Sequence, residues 1–329
     1  MRQIEIVVPS EARGRIEEAL EGQPVLDAWT VDLGGGRLLT KALIETEKTE
    51  ALLDRIEKAG AGLSPFRVVL LPVEGTIPRP PDPEPSPAAA PALRVSRAEL
   101  YADVEKSARV TWVFLTLVVL SSVVAAVGLV RDNGAVLIGA MVIAPLLGPN
   151  VALSLATTLG DLRLAGRAVR ASAAGMALAL AFSVIVGTTF PFDPSVEEIR
   201  SRTDAGPSDI LLALASGAAG ALAFTTGAPA SLIGVMVAVA LLPPLVACGM
   251  LLGGGRPDLA GGAALLLATN VVCVNLAGVA TFLLQGIRPA RWWEAERARR
   301  GTRTALLLWT LALALLALLV YLVRPLSSA

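Results

Sequence analysis

Two apolar stretches of the chain carry prolines in mid-helix surroundings: IGAMVIAPLLGPNVAL over Ile138–Leu153 and LIGVMVAVALLPPLVA over Leu232–Ala247. A proline has no N–H, so the carbonyl four residues before it loses its helical partner. Pro145 and Pro149 are expected to release the carbonyls of Met141 and Pro145, and Pro243 and Pro244 those of Val239 and Ala240. Bare carbonyls are not tolerated facing lipid, but they are when buried in protein or lining a polar cavity. Neutral polar residues accompany the prolines: Asn150, Ser154, Thr157 and Thr158 after the first stretch, Thr225 and Thr226 before the second, and Asn270, Asn275 and Thr281 in a later one. Carbonyls, amides and hydroxyls suit a dehydrated monovalent ion or a small neutral or zwitterionic solute. The same groups also hold helices together inside a membrane. The candidate binding set is Met141, Ala144, Pro145, Gly148, Pro149, Asn150, Val239, Ala240, Pro243, Pro244, Asn270 and Asn275. Asn270 and Asn275 are separated by about 140° around a helix, so they cannot both face one point squarely.

Other chemistries lack their residues. The chain has no histidine, which removes the commonest general base and the commonest metal ligand. Cys248 and Cys273 both fall in apolar segments and read as small core residues rather than a disulfide or a metal pair. No Ser–His, Cys–His, paired-Asp or metal-ligand pattern is present, so neither catalysis nor a metal or other cofactor is expected. Arg131, Asp132 and Asp161 belong near span ends, which argues against proton coupling through a central carboxylate.

The elements around these residues belong to a membrane. The chain is 54% hydrophobic and 17% charged, with a mean hydropathy of +0.66 and a net charge of zero, and the charge is concentrated in the first third. Nothing in that balance points to nucleic acid; the bilayer is the expected partner. Apolar windows at 110–130, 135–159, 168–190, 208–227, 230–252, 259–286 and 303–323 suggest seven spans. Arg94, Arg97, Lys106 and Arg109, then Arg163, Arg167 and Arg170, then the six arginines between Arg288 and Arg303 fall on one side if the chain simply alternates. The positive-inside rule then puts the N-terminus in the cytoplasm and the C-terminus outside a cytoplasmic membrane, with Trp292 and Trp293 as an interfacial belt. No signal-peptide core precedes the first strand.

Residues 1–73 read as β-α-β-β-α-β, the order of a ferredoxin-like α+β domain, with Ser10 as a helix N-cap and Gly34-Gly35-Gly36 as a turn. A Pro-rich linker occupies 74–95, and a juxtamembrane helix over 96–109 opens on Ser96 and Glu99 in a capping-box pattern.

The prolines also mark a repeat. Shifting the chain by 95 residues aligns Leu137–Ala168 with Leu232–Ala263 without a gap, matching Ile138/Ile233, Gly139/Gly234, Met141/Met236, Pro149/Pro244 and Gly160/Gly255. Two three-span units, 110–190 and 203–287, follow, with 303–323 as an extra helix. An odd number of spans inverts the second unit, the arrangement found in many transporters, where interrupted helices in corresponding places mark the binding site.

GAVLIGAMVIAPLLGPNVALSLATTLGD and, later, PASLIGVMVAVALLPPLVACGMLL resemble the membrane-protein family catalogued as domain of unknown function 389. Ala144 stands where that family often has serine, which weakens a substrate-binding role for a hydroxyl there. The resemblance covers most of 96–285 and implies a helical membrane core without an assigned activity. The residues suggest a transporter or channel with a cytoplasmic regulatory domain. The alternative is a membrane-anchored sensor or oligomeric scaffold; in either case a homo-oligomer, by default a dimer, is expected.

Overall fold

The computed structural model describes residues 1–76, 95–226, 230–287 (side chains from 240 onward) and 306–321. Most of the Pro-rich linker, the 288–303 loop with its tryptophans, and the Val239 side chain lie outside the described residues. The chain divides into two compact units, Met1–Tyr101 and Ala102–Ala329.

The first unit is built on four strands: β1 (Arg2–Pro9), β2 (Val25–Gly34), β3 (Arg37–Ile44) and β4 (Arg67–Pro72). They pair antiparallel in the order β2-β3-β1-β4. Helices α1 (Arg13–Leu20) and α2 (Thr49–Gly60) complete the β-α-β-β-α-β sequence. Strand alternation sends Ile4, Ile6 and Val8 to one face, where they pack with Leu38, Ile16, Leu52 and Ile56. Gly34, Gly35 and Gly36 all adopt positive φ in the turn between β2 and β3, where a side chain would be strained. Ser10 does not cap α1. It begins a short 3-10 turn and donates its backbone N–H to Gly36 O at 2.8 Å, so the α-helix starts three residues later at Arg13. On the opposite sheet face the Lys41 ammonium, 2.7 Å from Glu5, holds that carboxyl below its ordinary range. Helix α3 (Arg97–Ser107) opens with the expected cap, Glu99 N–H donating to Ser96 Oγ at 3.3 Å, and Glu99 in turn pairs with Arg2.

The second unit is helical: α4 (Trp112–Val130), α5 (Gly134–Ile143), α6 (Leu147–Leu159), α7 (Leu162–Thr189), the short α8 (Glu197–Arg200), α9 (Pro207–Thr226), α10 (Ala230–Gly253) and α11 (Pro257–Leu284). A last helix, α12 (Leu306–Tyr321), sets Val320 against Leu266 of α11. Among the described residues four helices, α4, α7, α9 and α11, are long and apolar enough to cross a membrane; the bent pair α5–α6 makes five if it counts as one span. Exposed apolar side chains such as Leu120 on α4, Ile185 on α7 and Leu211 on α9 face outward, as a lipid-solvated body requires.

Side-chain caps set the ends: Thr111 for α4, Asn133 for α5 and Asp161 for α7. The same 95-residue shift separates Leu162 from Pro257 and Thr189 from Leu284, so α7 and α11 correspond end to end. It carries Trp112 onto Pro207 and Gly134–Leu159 to within a residue of the ends of α10. Gly160 and Gly255, the left-handed residues before α7 and α11, also coincide.

One expectation fails. α10 does not break at its prolines: Pro243 and Pro244 lie inside a continuous 24-residue helix. The interruption occurs only in the first half, where α5 and α6 meet at 56° across Ala144–Leu146.

Candidate functional site at the proline-bearing helices

At the first break, Ala144 is extended (φ −67°, ψ 121°), the conformation a following proline imposes on its neighbour. α5 makes its last bond from Ala144 N–H to Ala140 O, and Pro145 supplies no N–H for Met141 O. Pro149 costs α6 nothing, because it occupies the first turn, where backbone N–H groups have no intrahelical acceptor. Met141, Ala144, Pro149 and Asn150 are buried and Pro145 and Gly148 half-buried. Gly148 is needed for packing: a Cβ there would come 2.7 Å from Ser107 Cβ, at the end of α3. Next to it, Glu105 pairs with Arg167 of α7.

The second proline pair removes more. Ala240 O can accept neither from residue 243 nor from residue 244, so its 3-10 and α-helical donors are both gone. The lost bond is replaced from a neighbouring helix: Asn270 Nδ2 of α11 donates to Ala240 O at 2.7 Å. A donor delivered to the most depleted carbonyl lets α10 run on through two prolines that would otherwise cost about 3 kcal/mol or more each. Pro243, Pro244 and Ala240 are all buried.

Asn275 serves the other half. Its Nδ2 donates to Asn150 Oδ1 of α6 at 3.0 Å and back to Val271 O at 2.8 Å. Asn150 Nδ2 donates to Leu146 O at 2.9 Å, at the start of α6. Ser154 Oγ lies 3.1 Å from Asn150 O, 3.2 Å from Asn275 O and 3.3 Å from Asn275 Oδ1, and its single proton is shared among them. The two asparagines thus reach different partner helices, as their angular separation requires. Thr158 donates within α6 to Ser154 O and Thr281 within α11 to Ala277 O. Thr225 lies apart from these asparagines, receiving Gln285 Nε2 at 2.9 Å.

Two residues outside the candidate set matter as much. A Cβ on Gly278 would meet Ser154 Oγ at 2.6 Å, and one on Gly249 would meet Ser183 Cβ at 2.5 Å and Leu180 O at 2.9 Å. Under the 95-residue shift Ser154 becomes Gly249, Gly278 becomes Ser183 and Asn275 becomes Leu180. The α6–α11 contact and the α7–α10 contact are therefore the same contact with serine and glycine exchanged. Continuing the sequence match beyond Ala168 and Ala263 would have brought these positions into register.

This is a protein of two units, one with candidate membrane-crossing helices whose described centre is neutral and hydrogen-bonded, the other a four-stranded antiparallel sheet with helices. Residues 141–276 match the model of the family described as Domain of unknown function (DUF389). The chain is 34% identical over 323 residues to a Methanocaldococcus jannaschii protein described as uncharacterized protein MJ0678, covering 98% of this chain and 99% of that one. The chain belongs to this family. No solved structure matches it.

Proposed function

We propose that the protein is a transporter or channel for a small ion or a small neutral or zwitterionic solute, with its binding site where the proline-bearing helices meet α11. The carrying observation is the exchanged contact, Ser154 against Gly278 and Gly249 against Ser183. A two-fold relation requires that a contact from the first half to the second recur with its partners swapped, whereas stacking by translation does not. Between the halves helix pairing follows the same exchange, α7 packing on α10 as α11 packs on α6, and within them α4 packs on α5 as α9 does on α10. With three spans per half, α4, α5–α6 and α7 against α9, α10 and α11, the axis lies in the membrane plane. A 56° bend leaves the chain advancing, so α5–α6 reads as one bent span. Adding α12 gives seven spans, with the N-terminus cytoplasmic and the C-terminus outside. The front domain reads as a ferredoxin-like regulatory module.

The test is flux across liposomes holding the purified protein, against a panel of monovalent ions and small zwitterions. Flux above protein-free vesicles is expected for one member of the panel and is expected to fall at least tenfold in the Pro145→Ala variant. Tight vesicles for every solute would leave the sensor or scaffold reading, which the mutual satisfaction of Asn150, Asn275 and Ser154 favours.

A further inference from the structure

Among the buried asparagines of the described membrane helices, Asn270 is half used. Asn270 is 4% exposed, its Nδ2 donates to Ala240 O, and its Oδ1 is buried without any hydrogen-bond partner. The orientation is not interchangeable: a carbonyl accepts only from N–H, so the nitrogen must face Ala240 and the oxygen must point away from it. An unpaired amide oxygen in a low-dielectric interior is costly unless something electropositive meets it. The same step of α10 holds a second depleted acceptor, because Val239 O loses its α-helical donor at Pro243 and keeps only the 3-10 donor of Leu242.

We propose that Asn270 Oδ1, with the proline-stripped carbonyls of α10, forms part of a site for a dehydrated monovalent cation. The proposal rests on the transport reading of this same site and names its ligand class. Neutral oxygens replace the hydration shell of a singly charged ion. A divalent ion is bound chiefly by carboxylates, and the acids at α7 and α11, Asp161 and Asp258, stand at the helix starts. Asn275, five residues along the same helix, has its carbonyl-side oxygen occupied by Ser154 and both its N–H groups used, so it is not an equivalent ligand.

The experiment is thermal unfolding of the detergent-solubilised full chain in sodium, potassium or lithium chloride, each against N-methylglucamine chloride at equal ionic strength. One alkali cation is expected to raise the midpoint saturably, by roughly 5 °C at a hundredfold excess over its Kd. Asn270→Leu should abolish that cation-dependent rise, and Asn275→Ser should keep it. Asn270→Asp tests the site with volume preserved: above the carboxyl's pKa the rise should grow, because the ionised group has only the cation to neutralise it. Identical midpoints in all four salts overturn the proposal, as does a rise that survives Asn270→Leu or fails to grow in Asn270→Asp. Cation-dependent melting in a protein that passes no solute would retain the site and remove the transport reading; flux without cation dependence would do the reverse.

Discussion

The two proline-bearing helices answer the same chemical loss in opposite ways. α5–α6 bends by 56° where Pro145 follows an extended Ala144, whereas α10 runs unbroken through Pro243 and Pro244. Proline count does not explain the difference, since α5–α6 and α10 carry two each. What differs is the supply of a substitute donor. In the second half both prolines act on Ala240 O, and Asn270 reaches it from α11. In the first half Pro149 sits harmlessly in the first turn of α6, and the amide at hand, Asn150, is directed to Leu146 O. A helix containing proline stays a helix when a neighbour returns the missing hydrogen bond.

The largest expected effect tests the bend. Pro145→Ala restores an N–H for Met141 O and frees residue 144 to be helical. Straightening two arms of 10 and 13 residues at 56° lengthens the pair by about 4 Å at 1.5 Å per residue. Spin labels at Ala135→Cys and Thr157→Cys, with Cys248 and Cys273 replaced, would read it. An unchanged distance would mean that packing of Ser107 on Gly148, rather than the proline, imposes the angle.

Next is a double-mutant cycle on the unbroken half. Asn270→Leu leaves Ala240 O without a donor and should cost about 1–3 kcal/mol in detergent unfolding. In a Pro244→Ala background the new N–H of residue 244 serves Ala240 O, and the same substitution should cost little. A coupling near zero would show that Asn270 does not replace the lost bond.

A third pair compares the halves directly. Gly249→Ala and Gly278→Ala each insert a methyl where the helices interlock, at about 1–3 kcal/mol. Gly249→Ala should be the worse, because Leu180 O at 2.9 Å is backbone and cannot rotate aside as the Ser154 hydroxyl can. Unfolding midpoints of the two variants would rank them; the reverse order would argue against a shared interlock.

Much of this arrangement was legible in local spacing. The strand alternation Ile4-x-Ile6-x-Val8, the triple-glycine turn and the Ser96 cap are short-range patterns, and the structure contains all three. The 95-residue shift was legible because identical residues recur in register from Leu137 and Leu232 onward. What spacing could not tell is which proline breaks its helix, because that depends on a donor 30 residues away, from Asn270 to Ala240. The packing demand on Gly148 was illegible for the same reason: it comes from Ser107, on a helix before the first span. Ser10 failed as a cap because a 3-10 turn over Ser10–Ala12 intervenes and puts Ala12 at the cap position of α1.

The smallest effect is the sharpest control on the comparison. Ser154→Ala removes a hydroxyl that approaches three acceptors, and its counterpart in the other half, Gly249, has no hydroxyl at all. Asn150 O keeps its helical partner, and Asn275 Oδ1 loses only the longest of the three contacts, at 3.3 Å, whereas Ala240 O loses a 2.7 Å donor in Asn270→Leu. The expected cost is about 0.5–1.5 kcal/mol, the net value of one hydrogen bond. Unfolding midpoints for the two variants in one buffer decide it. If Ser154→Ala is as damaging as Asn270→Leu, the stripped carbonyl is not special, and the contrast between a bent and an unbroken helix must be sought in packing alone.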